Sequence, residues 1–305
     1  MAIVVPTIVE RPEEPFVIGA DELPEQVTLW QDAWRRLRRN RVSVIGLVII
    51  GVFVLVAIVS FFWTPYPIWR QALGPTYQGP TLIHPLGLDD YGRDILSRVM
   101  GGAGIALSVG VGASVIASLI GIVLGLTAGF YRGKIDTAIS LLINISYGVP
   151  DLLLALILVV LVGRGIQNII LAISITAWLG MARLVRGQTL SLREREFVEA
   201  ARSIGTKNLQ ILARHILPNA LGPIIVQATY LVPAAIIFEA FLSFLGLGVP
   251  PPAPSWGAMA SEGYKALQIA PHIVLMPCIA LSLTVLAFNW VGDGLRDAID
   301  PRMRK

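Results

Sequence analysis

Along the chain, long runs with almost no charged residue alternate with short polar segments. Crossing the hydrocarbon core of a bilayer takes about 20 apolar residues in a helix. Six runs reach or approach that length, at residues 42–62, 104–130, 138–162, 166–182, 221–245 and 272–291. The plainest is "VSVIGLVIIGVFVLVAIVSFF" (42–62), which holds no charge and is rich in apolar β-branched and aromatic residues that lipid accepts. The pattern predicts an all-α integral membrane protein with six transmembrane helices.

One segment breaks the rhythm. Residues 187–219, which include "EAARSIGTKNLQILARHILPN", are polar and charged between two apolar runs. Phe197, Ala201 and Ile204 fall at i, i+4 and i+7, the spacing of one apolar helix face. Gly205 interrupts that face, after which Leu209, Leu212 and Ile216 repeat it, and Pro218 is predicted to limit the second helix before the fifth span. The expectation is helix, glycine turn, short helix. A solvated loop and an amphipathic helix lying on lipid are the plainer alternatives. A helix-turn-helix for DNA is disfavoured, because both ends are tethered to spans and neither helix can enter a groove. A partner-docking helix, with apolar anchors for a groove on another protein, accounts best for the two stripes.

Within the second span Gly121, Gly125 and Gly129 recur every four residues, as do Gly104, Ser108 and Gly112. Small residues on one face let a second backbone come close, which is how helices associate in lipid, so this span is expected inside a bundle. The loop before it is rich in Pro, Gly and Tyr. There Asp89 or Asp90 is expected to cap a short surface helix with Ile95, Leu96 and Val99 as its apolar face.

Composition and charge agree with lipid as the main solvent. Of 305 residues 55% are apolar and 14% charged, where a soluble domain carries roughly 25% charged residues. With the N-terminus inside, 19 of the 24 lysines and arginines fall on cytoplasmic segments, so both termini are predicted cytoplasmic. The net charge of +4 is spread over positions flanking the spans and forms no stripe, which argues against nucleic acid. The first 29 residues hold six carboxylates, one arginine and four prolines, and read as a cytoplasmic tail, not a signal peptide. Cys278 is the only cysteine, so no intramolecular disulfide forms.

Two carboxylates interrupt the spans. Asp151, after Pro150, and Glu239, in "IIFEAFLSF", are candidate pathway or bundle polar residues, since an ionised group at the bilayer centre costs about 2.5 to 3.5 kcal/mol and turns to protein or a wet cavity. Asp151 has a second reading, as a partner for backbone groups freed by a proline kink. Pro150, Pro233 and Pro277 are each expected to kink a span. His272, Met276 and Cys278 lie close in sequence but read as packing residues, and no metal site is assigned. "AGFYRGKI" lacks the first glycine and the final hydroxyl of a phosphate loop, so no ATP site is expected in this chain. "VGDG" (291–294) matches an intramembrane aspartyl protease motif only in part.

The motifs resemble a known family. Glu199, Ala200 and Ala201, then three residues, Gly205, nine residues and "HILP" resemble the EAA loop of the membrane subunits of ABC importers. "WRRLRRNRVSVIGLVII", "HPLGLDDYGRDILSRV", "LSFLGLGVPPPAPSWGAM" and "GDGLRDAIDPR" resemble segments of the C-type permease subunit of dipeptide and oligopeptide importers. The resemblance implies a type I importer fold in a bacterial inner membrane. Two related permease chains would form a heterodimeric pore, two ATPase subunits would bind ATP and Mg, and an extracytoplasmic binding protein would deliver substrate. It places no cofactor in this chain. It implies ATPase coupling through Glu199, Ala200, Ala201, Gly205, Leu209, Leu212, Leu217 and Pro218, and gives His215 no role.

The domains follow: a tail and basic segment over 1–41, the first span at 42–62, an extracytoplasmic loop over 63–103, a five-span core over 104–295 and a tail over 296–305. The core includes the coupling loop 187–219 and an extracytoplasmic loop 246–271, where Trp256 is a candidate contact for the binding protein or a headgroup anchor. "GAGIA" at the start of the second span, and Leu141 and Asn144 in the third, depart from the family pattern and leave its bundle polar pairs untransferred. Nickel, glutathione or haem are alternative cargoes. An ion-coupled secondary transporter using Asp151 or Glu239, and a membrane enzyme, are the readings from other classes.

Overall fold

A computed structural model describes residues 29–299, so the expected tails over 1–28 and 300–305 lie outside the described residues. The helices are α1 (Leu29–Arg39), α2 (Arg41–Phe62), α3 (Ile95–Tyr131), α4 (Gly133–Tyr147), α5 (Asp151–Val162), α6 (Ile166–Arg193), α7 (Glu196–Ser203), α8 (Asn208–Ile211), α9 (Leu217–Phe244), α10 (Trp256–Tyr264) and α11 (His272–Ile299). Among the described residues five helical runs are long and apolar enough to cross a membrane, and α4 with α5 makes a sixth if that pair, bent by 89°, is one span.

The small residues of α3 set the packing. A Cβ on Gly121 would stand 2.6 Å from Met181 Cβ, one on Gly125 2.7 Å from Ala182 O, and one on Gly129 2.7 Å from Thr189 Cβ. Numbers rise together along both helices, so α3 and α6 run parallel with their backbones in close approach. Gly110 faces Ile236 and Ser114 Oγ donates to Ala228 O, which makes α9 antiparallel to α3. Gly46 meets Ala287 O, and Ser43 Oγ donates to Trp290 O, so α2 and α11 are also antiparallel. This topology gathers the start of α2, the ends of α3, α6 and α11 and the polar insert onto one face, the insert face. Residues 63–94 and 245–271 lie on the opposite, loop face.

Several boundaries differ from the sequence expectation, each for a physical reason. The predicted short surface helix is the first turns of α3, which runs unbroken for 37 residues. Its cap is Asp94, whose carboxylate accepts from Ser97 N at 2.8 Å, and neither Asp89 nor Asp90 plays that part. The span predicted at 138–162 is broken at Gly148–Pro150, because proline supplies no N–H and drives Val149 out of the helical region. The fourth span continues to Arg193, since Thr189 still faces α3 and is fully buried.

Pro218 does not separate the insert from the fifth span. Asn208–Phe244 is one helical run in which residues 212–216 form a π turn, with Leu217 N bonded to Leu212 O. That wider turn precedes Pro218, which enters the first turn of α9 where its missing N–H costs least. Pro233 and Pro277 lie buried within α9 and α11, which continue through them.

Candidate functional site

The insert is built around a glycine. Helix α7 ends in a C-terminal motif where Gly205 N donates to Arg202 O at 2.9 Å and Thr206 N to Ala201 O at 3.0 Å. These bonds require a left-handed residue, and Gly205 has φ +79°. A Cβ there would meet nothing within 4 Å, so backbone conformation alone demands glycine. Gly205→Val is therefore expected to cost about 1–3 kcal/mol locally, read as lost amide-exchange protection over 196–203. Gly205→Asn, which tolerates this region, should keep most of it.

The two stripes divide between burial and exposure. In α7 the inward residues are Val198 and Ala201, and beyond the turn they are Ile211, Leu212 and Ile216. All five pack with Phe130, the penultimate residue of α3. Phe197, Ile204 and Leu209, expected to share the apolar faces, are exposed at 40%, 83% and 74%. Glu199, Ala200, Gly205 and Pro218 are also exposed, while Leu217 is half-buried. The insert thus keeps a narrow buried edge and turns three large apolar side chains outward.

Phe130 carried no sequence signal as a site residue, yet it joins the span to the insert. The Arg193 guanidinium donates to its carbonyl, and the guanidinium carbons of Arg193 and Arg202 stand 5.8 and 5.5 Å from its ring centroid. Arg132, just beyond α3, pairs with Glu194 at 2.6 Å, and Arg186 grips both oxygens of Asp136 in α4. These links fasten α4, α6 and α7 to the end of α3.

The two span carboxylates part company. Glu239 is 1% exposed near the loop-face end of α9, and its Oε1 accepts from Ser243 Oγ at 2.6 Å and Ser255 Oγ at 2.8 Å. Ser255 also caps α10, so Glu239 ties the loop helix to the bundle. Glu239→Ala should lower stability by about 1–3 kcal/mol by orphaning two buried hydroxyls, whereas Glu239→Gln retains an acceptor and should cost less; thermal unfolding in detergent separates them. Asp151 is exposed in the first turn of α5, directly after the break.

Trp256 is not available to a docked protein or to lipid headgroups, contrary to expectation. It is 1% exposed, its Nε1 donates to Val99 O at 3.0 Å, and its ring occupies the space a Cβ on Gly102 would need. Phe53 of α2 meets it edge-on at 5.6 Å. The segment "HPLGLDDYGRD" folds into a tight charged unit beside it. Asp89 accepts from Tyr91 N, Arg93 N and Arg93 Nε, and His84 Nδ1 lies 2.9 Å from Asp94. Arg93 and Arg98 both reach Glu262 of α10, at 2.8 and 3.1 Å. Burial, and then the Asp89 carboxylate, push the Asp90 carboxyl above its ordinary range. Asp89, Asp90 and Glu262 converge within 4.8 Å, and the charge they meet is that of the two arginines. His272 Nε2 contacts Gln78 O at 3.1 Å, which ties it to this loop.

A membrane-embedded helical bundle with a polar, outward-facing insert between two spans is the architecture of a transport subunit. Residues 121–305 match the family described as binding-protein-dependent transport system inner membrane component, and residues 28–80 match the N-terminal TM domain of oligopeptide transport permease C. The chain belongs to this family of membrane permeases, in its oligopeptide permease C branch. It is 42% identical to the dipeptide transport system permease protein DppC of Bacillus subtilis, covering 96% of this chain and 94% of the relative. It is 43% identical to the oligopeptide transport system permease protein OppC of the same organism, covering 92% of each. To the glutathione transport system permease protein GsiD of Escherichia coli it is 44% identical, covering 92% and 93%. In fold it is similar to a solved inward-facing structure of the MetNI methionine ABC transporter, with a TM-score of 0.55, 22% identity, and coverage of 68% of this chain and 98% of that one.

Proposed function

We propose that this permease forms half of the pore of an importer for dipeptides or oligopeptides, beside a second homologous permease chain. ATP and Mg are bound by two ATPase subunits that dock on the insert face, which is the cytoplasmic face. The observation that carries the coupling role is the outward exposure of Phe197, Ile204 and Leu209 on an insert whose opposite edge is locked to Phe130. Apolar anchors held on a rigid mount suit a groove on a partner, and a partner that closes on ATP would move α3 and α9 through that mount. Glu199 stands exposed on the same short helix, where a reversed charge would oppose docking.

The test is reconstitution of the permease pair with its ATPases. Ile204→Asp with Leu209→Asp, or Glu199→Lys, should weaken ATPase association and abolish ATP-dependent uptake while the chain stays folded. Wild-type association and uptake in both variants would sink the coupling role. Uptake driven by an ion gradient without ATPases would favour the secondary transporter.

Substrate choice rests on the relatives, whose names give dipeptides, oligopeptides and glutathione at nearly equal identity. Calorimetry on the cognate binding protein with short peptides, glutathione and nickel chelates decides among them. On the loop face, exposed Leu82, Ile83, Tyr264 and Ile269 replace Trp256 as the surface for that binding protein. A photocrosslinker at Ile83 should capture it and one at Trp256 should not.

A further inference from the structure

Helix α1 is not accounted for by coupling or by the pore. Ala33 and Leu37, one turn apart, are buried at 5% and 4% against Ala298, with Leu47, Leu295 and Ile299 around them. Leu37 also closes on the junction of α2 and α11, where a Cβ on Gly294 would lie 3.1 Å from Leu37 Cδ1. The helix is thus laid across the paired ends of those spans. Its outward side carries Arg35, Arg38 and Arg39, all exposed, and Trp34 is 50% exposed with the Arg38 guanidinium 5.0 Å from its ring centroid. Exposed Arg41 follows, after Asn40 has turned the chain and capped α2. Residues 29–41 hold five arginines against one carboxylate.

Position along the membrane normal decides what such a face meets. Residues 42–62 carry no charge, so the polar boundary of the hydrocarbon core falls at the first turn of α2, and α1 sits at that depth. There the ligand groups within reach are lipid headgroups. Guanidinium groups grip phosphate oxygens in a two-pronged way, and an indole ring settles at headgroup level.

We propose that α1 is a preformed binding surface for anionic phospholipid headgroups, held by Arg35, Arg38, Arg39 and Arg41 with Trp34 beside them. Because Ala33 and Leu37 fix α1 to α2 and α11, the lipid binds a rigid face, and the permease prefers anionic lipid at this edge. The inference is independent of the transported solute.

The test uses the full-length chain in mixed micelles of equal parts phosphatidylglycerol and phosphatidylcholine, with retained lipids counted by native mass spectrometry. Wild type should retain phosphatidylglycerol selectively, and added salt should weaken the preference. R35Q/R38Q/R39Q should lower that preference by about fivefold per arginine. These side chains are exposed, so helical content and unfolding temperature should not change. R70Q/R164Q/K265Q, three exposed cations on the opposite face, is the charge-matched control and should keep most of the preference.

Equal loss from both triple variants, or no loss from the first, overturns the proposal. So does displacement of the retained lipid by inorganic phosphate, which would place the site in water. A preference that emerges only after deletion of residues 1–28 would assign the arginines to the acidic tail instead. One that vanishes when ATPase subunits bind would assign them to a protein.

Discussion

Phe130→Ala is expected to detach the insert from the bundle while leaving the bundle folded. The ring is 4% exposed at the point where α3 meets Val198, Ala201, Ile211, Leu212 and Ile216. Truncating a buried phenylalanine costs about 3–5 kcal/mol, and the part that depends on it cannot hold itself. Helix α7 has eight residues, whereas isolated helices shorter than about 12–15 residues are marginal in water. The truncation also removes the ring on which Arg193 and Arg202 rest. The close backbone approach of α3 to α6 at Gly121, Gly125 and Gly129 comes before this ring in α3 and is made without it.

Amide exchange should therefore accelerate over 196–203 and stay slow over 106–125. In reconstituted complexes ATP-driven uptake should fall by about tenfold or more, at unchanged amounts of chain in the membrane. Phe130→Leu, which refills most of the volume, should recover much of both. Unchanged exchange over α7 in the alanine variant would show that the insert is held elsewhere.

Gly125→Val is expected to be worse, because it strikes the bundle itself. Its Cβ would stand 2.7 Å from Ala182 O, 2.7 Å from Val185 Cβ and 3.0 Å from Arg186 N. Two of these atoms are backbone on a helix already pressed against its neighbour, so α3 and α6 must separate. In lipid no hydrophobic drive pulls them back, since tails are as apolar as the side chains, and close backbone approach is much of what holds the pair. Overpacking of this kind costs about 1–3 kcal/mol in general and more where backbone is struck, and the flanking contacts at Gly121 and Gly129 would open with it. The measurement is unfolding temperature in detergent together with steady-state amount in the membrane. Gly51→Val is the control, since a Cβ at Gly51 meets nothing within 4 Å. Equal stability of the two variants would contradict the packing described.

The spans were legible because lipid writes them directly. A run of about 20 apolar residues has few alternatives to a crossing helix, and the four-residue spacing of Gly121, Gly125 and Gly129 named the face on which α3 meets a neighbour. The turn at Gly205 was legible for a related reason, as a glycine that ends a periodic stretch has a backbone conformation open to it that other residues avoid. What the sequence left open was the choice between two overlapping faces. In α7 the spacing Phe197, Ala201, Ile204 and the spacing Val198, Ala201 both describe helical faces, and eight residues are too few for periodicity to choose. Phe130, some 70 residues earlier, makes the choice by standing over one of them.

The same holds at the caps and prolines. Asp89, Asp90 and Asp94 all precede an apolar run, and Asp94 caps it because Asp89 is taken by the amides of residues 91 and 93 and by the Arg93 guanidinium. Pro218 reads as a stop, but the π turn before it lets the helix pass. Trp256 reads as an interface ring, but Gly102 leaves it a slot. By itself the sequence determined the solvent, five of the crossing segments, the tight turn and the family, because these depend on local composition and on motifs with fixed spacing. Only the tertiary structure decided which side chains of the insert face out, what mounts the insert on α3, and that Glu239 and Trp256 serve packing, because each depends on which distant surface arrives to bury it.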